Sequence, residues 1–528
     1  MFTRLKALGG NLVVYGIGDA ATQIISFFLL PVYVRYLSPA DYGVLALLLT
    51  VEVAAKVLFR WGIDASFMRL YFDCPDDPAR RLLASTQFFF LAAANGTLLA
   101  AALLLSPAIG RYLFHTNQYD WTLRLVLINT FVTCFYFLPY HVMRIEGRTS
   151  TYITLGFLRS VGTLLVRLLL VIGLGRGVHG VVLADVVVTA LFTTALTPWF
   201  ARLIRPVFSR QVLRESLRFG LPRLPHGIAH QIVAVSDRYV LGRFATLHEV
   251  GLYSTGASFA LGLKLFLSAF ESAWAPFYFG AMREPDAKDT FTRVTTYGVL
   301  ILALLTAGLA ACARDVIALA TTPTFHQAAR VVPWIALGVA FQGVYLLTSI
   351  GLNITKHTEY YPVATGIAAA TSVTANLLLV PSFGIVGAAW ANMLAYAVLA
   401  FVSWRFSQRF YPLAYESRRL VKIVAAALSG VAVASFAVPP MAPVVGLLLH
   451  GSIVVVMFFG VLAWSRFFVP NEIARLSAAL RRVRRRRVIE QPVESAELAG
   501  EVVAAPTTDD AEVMEETPEV EARSTAAR

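Results

Sequence analysis

Residues 151–173, TYITLGFLRSVGTLLVRLLLVIG, and residues 177–200, GVHGVVLADVVVTALFTTALTPWF, are two apolar stretches parted by little more than Gly175 and Arg176. A hydrocarbon slab ~30 Å thick is crossed by about 20 residues of helix, so the pair predicts a transmembrane helical hairpin. The pattern repeats in both directions. Stretches of similar length lie at 11–37, 42–63, 82–106 and 123–143 before it. After it come 216–241, 250–272, 291–313, 328–352, 359–381, 384–404, 420–438 and 443–466. The chain therefore reads as an all-α integral membrane protein of about fourteen transmembrane helices. Composition agrees: 57% of the 528 residues are hydrophobic and 15% charged, where a soluble chain carries roughly 25% charge.

Lys and Arg fall mainly at the N-terminus and in every second loop from it, including Arg202, Arg205, Arg210, Arg214 and Arg218. The opposite loops hold Arg35, Arg111, Arg176, Arg243 and Arg314. Positive loops stay cytoplasmic, so both termini are expected there. The net charge of +13 is accounted for by this sorting and predicts no nucleic-acid surface. Cys74, Cys134 and Cys312 have no paired spacing, which suggests neither a disulfide framework nor a metal site. Nothing calls for a cofactor.

Sliding the chain on itself by 208 residues places Arg35 on Arg243, Asp41 on Glu249, Gly43 on Gly251, Gln23 on Gln231 and Lys56 on Lys264. A shift near 209 matches Thr149 with Thr358, Tyr152 with Tyr361 and Arg167 with Asn376. A two-residue gap then brings Gly177, Gly180 and Asp185 onto Gly384, Gly387 and Asn392. Weak internal repeats of this kind mark transporters, whose substrate site lies between the copies. Six spans per copy, an even number, give both copies the same orientation. The expected organisation is an N-lobe of six helices (1–207), a C-lobe of six (208–410) and two added helices (411–468). The basic segment 202–218 should lie along the inner leaflet and join the lobes. A basic interfacial helix (469–489) follows, whose arginines attract anionic membrane lipids. Residues 490–528, acidic and without aromatics, read as a disordered tail.

Ionisable groups within the hydrocarbon are costly and by default face a cavity or a partner. Glu52, Lys56 and Arg60, four apart, form one polar stripe on a helix, with Glu52 in the favourable order for pairing to Lys56. Lys56 and its repeat mate Lys264 are candidate cavity cations. Arg60 and Arg223 join them, although both could instead snorkel to the inner interface. Arg159 and Arg167 share a face, and Arg167 has pairing with Asp185 as its alternative role. Asp19, Glu52 and Asp185 are the carboxylates placed to couple transport to an ion. His226 and His230 share a face that suits a polar cavity lining, while Asp237 and Arg238 read as anchors near the outer interface. Several cations and few anions suit an anionic cargo, because guanidinium and ammonium groups replace water around phosphate oxygens.

Residues 29–43, LLPVYVRYLSPADYG, resemble the first hairpin of the polysaccharide-transport branch of the multidrug/oligosaccharidyl-lipid/polysaccharide exporter superfamily. So do residues 376–381, NLLLVP, with 384–391, GIVGAAWA. The resemblance covers roughly residues 8–411. It implies an inner-membrane flippase, not an enzyme, for undecaprenyl-diphosphate-linked glycan, working by alternating access. It also implies that cavity cations, by position Lys56, Arg159, Arg167 and Lys264, engage the diphosphate or acidic sugars. A polysaccharide polymerase or other assembly proteins are conceivable partners. Relatives that flip the peptidoglycan precursor typically carry an Arg-Asp pair in the first span; here Gly18 precedes Asp19. Drug-extruding relatives usually have twelve spans. A membrane glycosyltransferase or ligase would usually show a sizeable periplasmic loop or a catalytic motif, and neither is found.

Overall fold

The computed structural model describes residues 31, 33–439 and 441–468. The described chain is helical, beginning with α1 (Pro39–Arg60), α2 (Ile63–Tyr71), α3 (Asp77–Phe114), α4 (Asp120–Thr133), α5 (Phe137–Ile145), α6 (Thr149–Leu168), α7 (Gly177–Leu203) and α8 (Arg210–Gly220). It continues with α9 (Leu224–Phe244), α10 (Leu247–Phe259), α11 (Leu261–Ala281), α12 (Ala287–Ala320), α13 (Val332–Thr348), α14 (Ile350–Ile354), α15 (Tyr360–Phe410), α16 (Ser417–Ala437) and α17 (Pro443–Trp464). Among the described residues ten segments are long and apolar enough to cross a membrane, and eleven if α10 and α11, bent by 44°, count as one span. Phe436 and Trp464 are 92% and 87% exposed, as lipid-facing residues would be.

The fourteen expected spans are not reached by this count. The first, 11–37, falls almost wholly outside the described residues, as does Asp19 within it. Helix α9 carries His226, His230, Asp237 and Arg238 and is too polar to be among the ten. The two spans expected around Pro381 form one helical run, α15, interrupted not at the proline but at Gly384 (φ 54°, ψ −132°). The basic segment 469–489 and the acidic tail also fall outside the described residues.

The repeat found in the sequence governs the local structure. Ser38 Oγ accepts from Asp41 N (3.1 Å) while Asp41 Oδ2 accepts from Ser38 N (3.1 Å). Thr246 and Glu249 form the same reciprocal cap at α10, at 3.3 and 2.9 Å. Each cap satisfies two backbone donors that a helix start leaves unpaired. Two residues beyond each acid lies a glycine, and there α1 and α10 touch backbone to backbone. A Cβ on Gly43 would lie 1.9 Å from Leu247 O, and one on Gly251 would lie 1.8 Å from Pro39 O. This reciprocity is that of a two-fold crossing, with small residues allowing the close approach. Around it Val44, Leu47 and Leu48 bury with Val250, Leu252 and Tyr253. The later pair agrees as well, since Gly177 and Gly384 both adopt left-handed conformations (φ 53° and 54°) that a side chain would disfavour.

Helix α8 realises part of the basic linker. Its Arg210, Arg214 and Arg218 are exposed, while Ser216 is buried and accepts from Gln87 Nε2 at 2.9 Å. The added helices α16 and α17 pack on each other and on α12, where Ala307, Ala434 and Val454 share a small buried cluster.

Candidate functional site

The stripe on α1 is built as its spacing requires. Lys56 Nζ lies 2.5 Å from Glu52 Oε1, with the lysine side chain 41% exposed and the carboxylate largely covered. One turn on, Arg60 Nη1 is 3.8 Å from Asp64 Oδ2. These side chains open into a cavity of about 420 Å3, lined by Lys56, Phe59, Arg60, Asp64, Leu91, Thr133, Cys134, Tyr136, Phe137, Tyr140, His141 and Arg159. Arg159 reaches it from α6, its guanidinium carbon 5.0 Å from the centre of the Tyr136 ring. The 3-10 turn Cys134–Tyr136 between α4 and α5 sets Tyr136 there, with its hydroxyl donating to Thr189 O at 2.8 Å. The lining thus carries Lys56, Arg60 and Arg159 against Asp64, and Glu52 is paired to Lys56, which leaves an excess of one positive charge. At an effective dielectric near 20, a unit charge 4 Å away contributes about 4 kcal/mol, so this imbalance favours an anion.

Other candidates lie elsewhere. Arg167 makes the pairing given as its alternative role: Nε and Nη2 donate to Asp185 Oδ1 and Oδ2 at 2.8 and 2.6 Å, and Nη1 donates to the Tyr33 hydroxyl at 3.3 Å. This bidentate pair spans the α6–α7 hairpin and engages both oxygens of Asp185, a carboxylate expected to couple transport to an ion. Lys264 is exposed, with Arg238 and Asp237 as electrostatic neighbours, and is not among the residues lining the Lys56 cavity. Arg223 ends the short turn Leu221–Arg223, and its side chain is outside the described set.

Two features were not read from the sequence. Asp237 and Arg238, expected as anchors near the outer interface, are packed between helices. Asp237 is 2% exposed, accepts from the Tyr253 hydroxyl and, at 3.4 Å, from Asn392 Nδ2. Arg238 lines a cavity of about 250 Å3 with Tyr42, Thr50, Ser254 and Ser258, where α1, α9 and α10 meet. A further cavity of about 270 Å3 is lined by His226, Glu271, Trp274, Ala275, Tyr278, Tyr345, Leu346, Ser349, Asn353 and Tyr361. Only His226 among these had been marked as a cavity residue. Alternation of apolar and polar residues gives a helix its faces, but an aromatic on such a face reads as core until its neighbours are known.

Residues 32–330 match a family described as polysaccharide biosynthesis protein. The chain belongs to this family. Among solved structures this family member is similar to the lipid II flippase MurJ in an inward closed conformation, with a TM-score of 0.72 and 13% identity over 86% of this chain and 99% of that one. It is also similar to an inward-facing multidrug resistance MATE family transporter of the MOP superfamily, with a TM-score of 0.62 and 15% identity over 76% and 95%. At such identities the likeness is one of fold. An uncharacterized membrane protein of Methanocaldococcus jannaschii is 26% identical over 222 residues, 40% of this chain and 41% of that protein, so the match spans less than half of the curated relative. Family and fold together make this a multi-pass membrane protein of the polysaccharide biosynthesis family with the fold of these solved transporters.

Proposed function

We propose that the protein is an alternating-access flippase that carries undecaprenyl-diphosphate-linked oligosaccharide across the bacterial inner membrane for surface polysaccharide assembly, with both termini cytoplasmic. The observation that carries the proposal is the cavity in which Lys56, Arg60 and Arg159 converge. A diphosphate offers several oxygens to the two guanidinium forks and the ammonium, and the family description supports a polysaccharide cargo. An organic-cation antiporter would need the opposite balance of charge in that cavity.

Glu52 gives the cycle a coupling step. It pairs with Lys56; an arriving phosphate competes for the ammonium and frees the carboxylate to take up a proton. Reorientation then moves a neutralised site instead of a buried charge, which the hydrocarbon would penalise. Asp19 is a second coupling candidate by its isolation in the first span. The test is translocation of a fluorescent lipid-linked glycan in vesicles containing only this protein. Flipping that ceases in Lys56→Ala and persists in Lys56→Arg supports the reading; wild-type vesicles that do not flip the lipid defeat it.

A further inference from the structure

The cavity of about 270 Å3 is the repeat mate of the cationic one. A shift of 209 carries Tyr136 to Tyr345 and Tyr140 to Ser349, residues that line the first and second cavities respectively. It also carries Tyr152, whose ring packs on Tyr140, to Tyr361, whose ring packs on Tyr345. The wall supplied by α1 and α2 in the first copy is supplied by α11 in the second.

Their chemistry differs. Where the first is lined by Lys56, Arg60 and Arg159, the second has neither lysine nor arginine among its lining residues and carries one carboxylate, Glu271. Glu271 is exposed and has no ion pair among the described residues. Around it stand Trp274, stacked between Phe270 and Phe277 at 5.4 and 5.6 Å, and Tyr345 and Tyr361, set edge to face. Asn353 Nδ2 donates to the Tyr278 hydroxyl at 3.0 Å and Asn353 also hydrogen-bonds Tyr361, which leaves its carbonyl for another partner. Trp274 is 3% exposed and backs the cavity as an aromatic wall.

Phosphate would be repelled by Glu271, and an aliphatic tail would leave the carboxylate and the amide carbonyl unanswered. A pyranose ring meets both. Its C–H face lies against the tyrosine rings, and its hydroxyls donate to Glu271 and to the Asn353 carbonyl. About 270 Å3, at the small end for ligand pockets, fits one ring better than a chain. We infer that this cavity, through Glu271, Tyr345, Asn353 and Tyr361, is a saccharide site that holds one sugar of the cargo while the diphosphate sits with Lys56, Arg60 and Arg159. The inference rests on the flippase reading above and adds a selection step to it, since carrier lipid without sugar would engage one copy of the repeat and leave the other empty.

The test uses the full chain in lipid nanodiscs and two probes, undecaprenyl diphosphate and undecaprenyl diphosphate bearing one N-acetylglucosamine, with binding read by native mass spectrometry. Wild type should prefer the sugar-bearing lipid by about fivefold or more, the order of one or two net hydrogen bonds. Tyr345→Leu removes an aromatic face of the cavity, and Glu271→Gln keeps the shape and loses the charge; each should bring the preference below about twofold. Binding of the bare lipid serves as the check that each variant is folded. Lys56→Ala should weaken both probes alike and keep the ratio. A wild type without preference, or variants that retain it, overturns the saccharide site alone; a wild type that binds neither probe overturns the flippase reading with it.

Discussion

Gly43→Ala places a methyl carbon 1.9 Å from Leu247 O, where contacts under 3.0 Å essentially do not occur. Helices α1 and α10 must then separate by an ångström or more, or the state in which they touch must become less populated. Overpacking of this sort costs about 1–3 kcal/mol. Taking 2 kcal/mol, the balance between the clasped arrangement and one with these helices parted shifts by roughly 30-fold. Gly251→Ala strikes the other side of the same crossing, with Pro39 O at 1.8 Å, and should have a similar effect. The double variant should cost much less than the sum, because helices already parted for one methyl have room for the second. Spin labels at Tyr36 and Phe244, both exposed, would report the separation by double electron-electron resonance. A longer-distance population should rise in either single variant and change little further in the double. Unchanged distances in the single variants, or strictly additive effects, would refute the argument that this crossing is a backbone-to-backbone clasp.

Removing one member of the half-buried Arg167–Asp185 pair, as in Arg167→Met, should destabilise the protein by about 2–4 kcal/mol, and Arg167→Met with Asp185→Leu by much less, because no charge is then left unpaired; thermal unfolding in detergent measures both. Lys56→Ala should reduce glycan flipping at least tenfold while membrane insertion, checked by fractionation, is unchanged. Glu52→Gln should flatten the pH dependence of flipping in vesicles, and a profile parallel to wild type would remove Glu52 from the coupling step. Asp19→Asn with unaltered activity and proton dependence would do the same for Asp19. Gly384→Ala, forced into a left-handed conformation, should lower stability by about 1 kcal/mol or more, seen as a lower unfolding temperature.

Much of the architecture was legible because the repeat left its mark on unusual residues. Asp41 with Glu249, Gly43 with Gly251 and Gly177 with Gly384 were matched by a shift in sequence, and each pair proves to have one structural job: cap, crossing or turn. The Glu52–Lys56 contact was legible too, since spacing of four on one helix fixes it locally. Arg167 shows where such reasoning stops. Its pairing with Asp185 was one of two uses open to it, and the choice depended on how α6 and α7 rotate against each other and on Tyr33 arriving from the end of the first span. Asp237 was placed by its distance from a span end, although the adjoining Tyr253 and Asn392 come from other helices and cover it. The cavity around Trp274 left no trace, because its chemistry lies in aromatic residues that hydropathy counts as ordinary packing.

The added helices are bound to the rest of the protein by polar contacts as well as by alanines. Asp315 of α12 meets His450 Nδ1 at 2.7 Å, and Thr296 donates to Glu416, just before α16, at 2.7 Å. Cutting the chain after α15 would therefore strip a carboxylate and a hydroxyl of these partners. The two helices cannot be shed as an optional appendage, and a version of this scaffold without them would need new partners or apolar residues at positions 296 and 315.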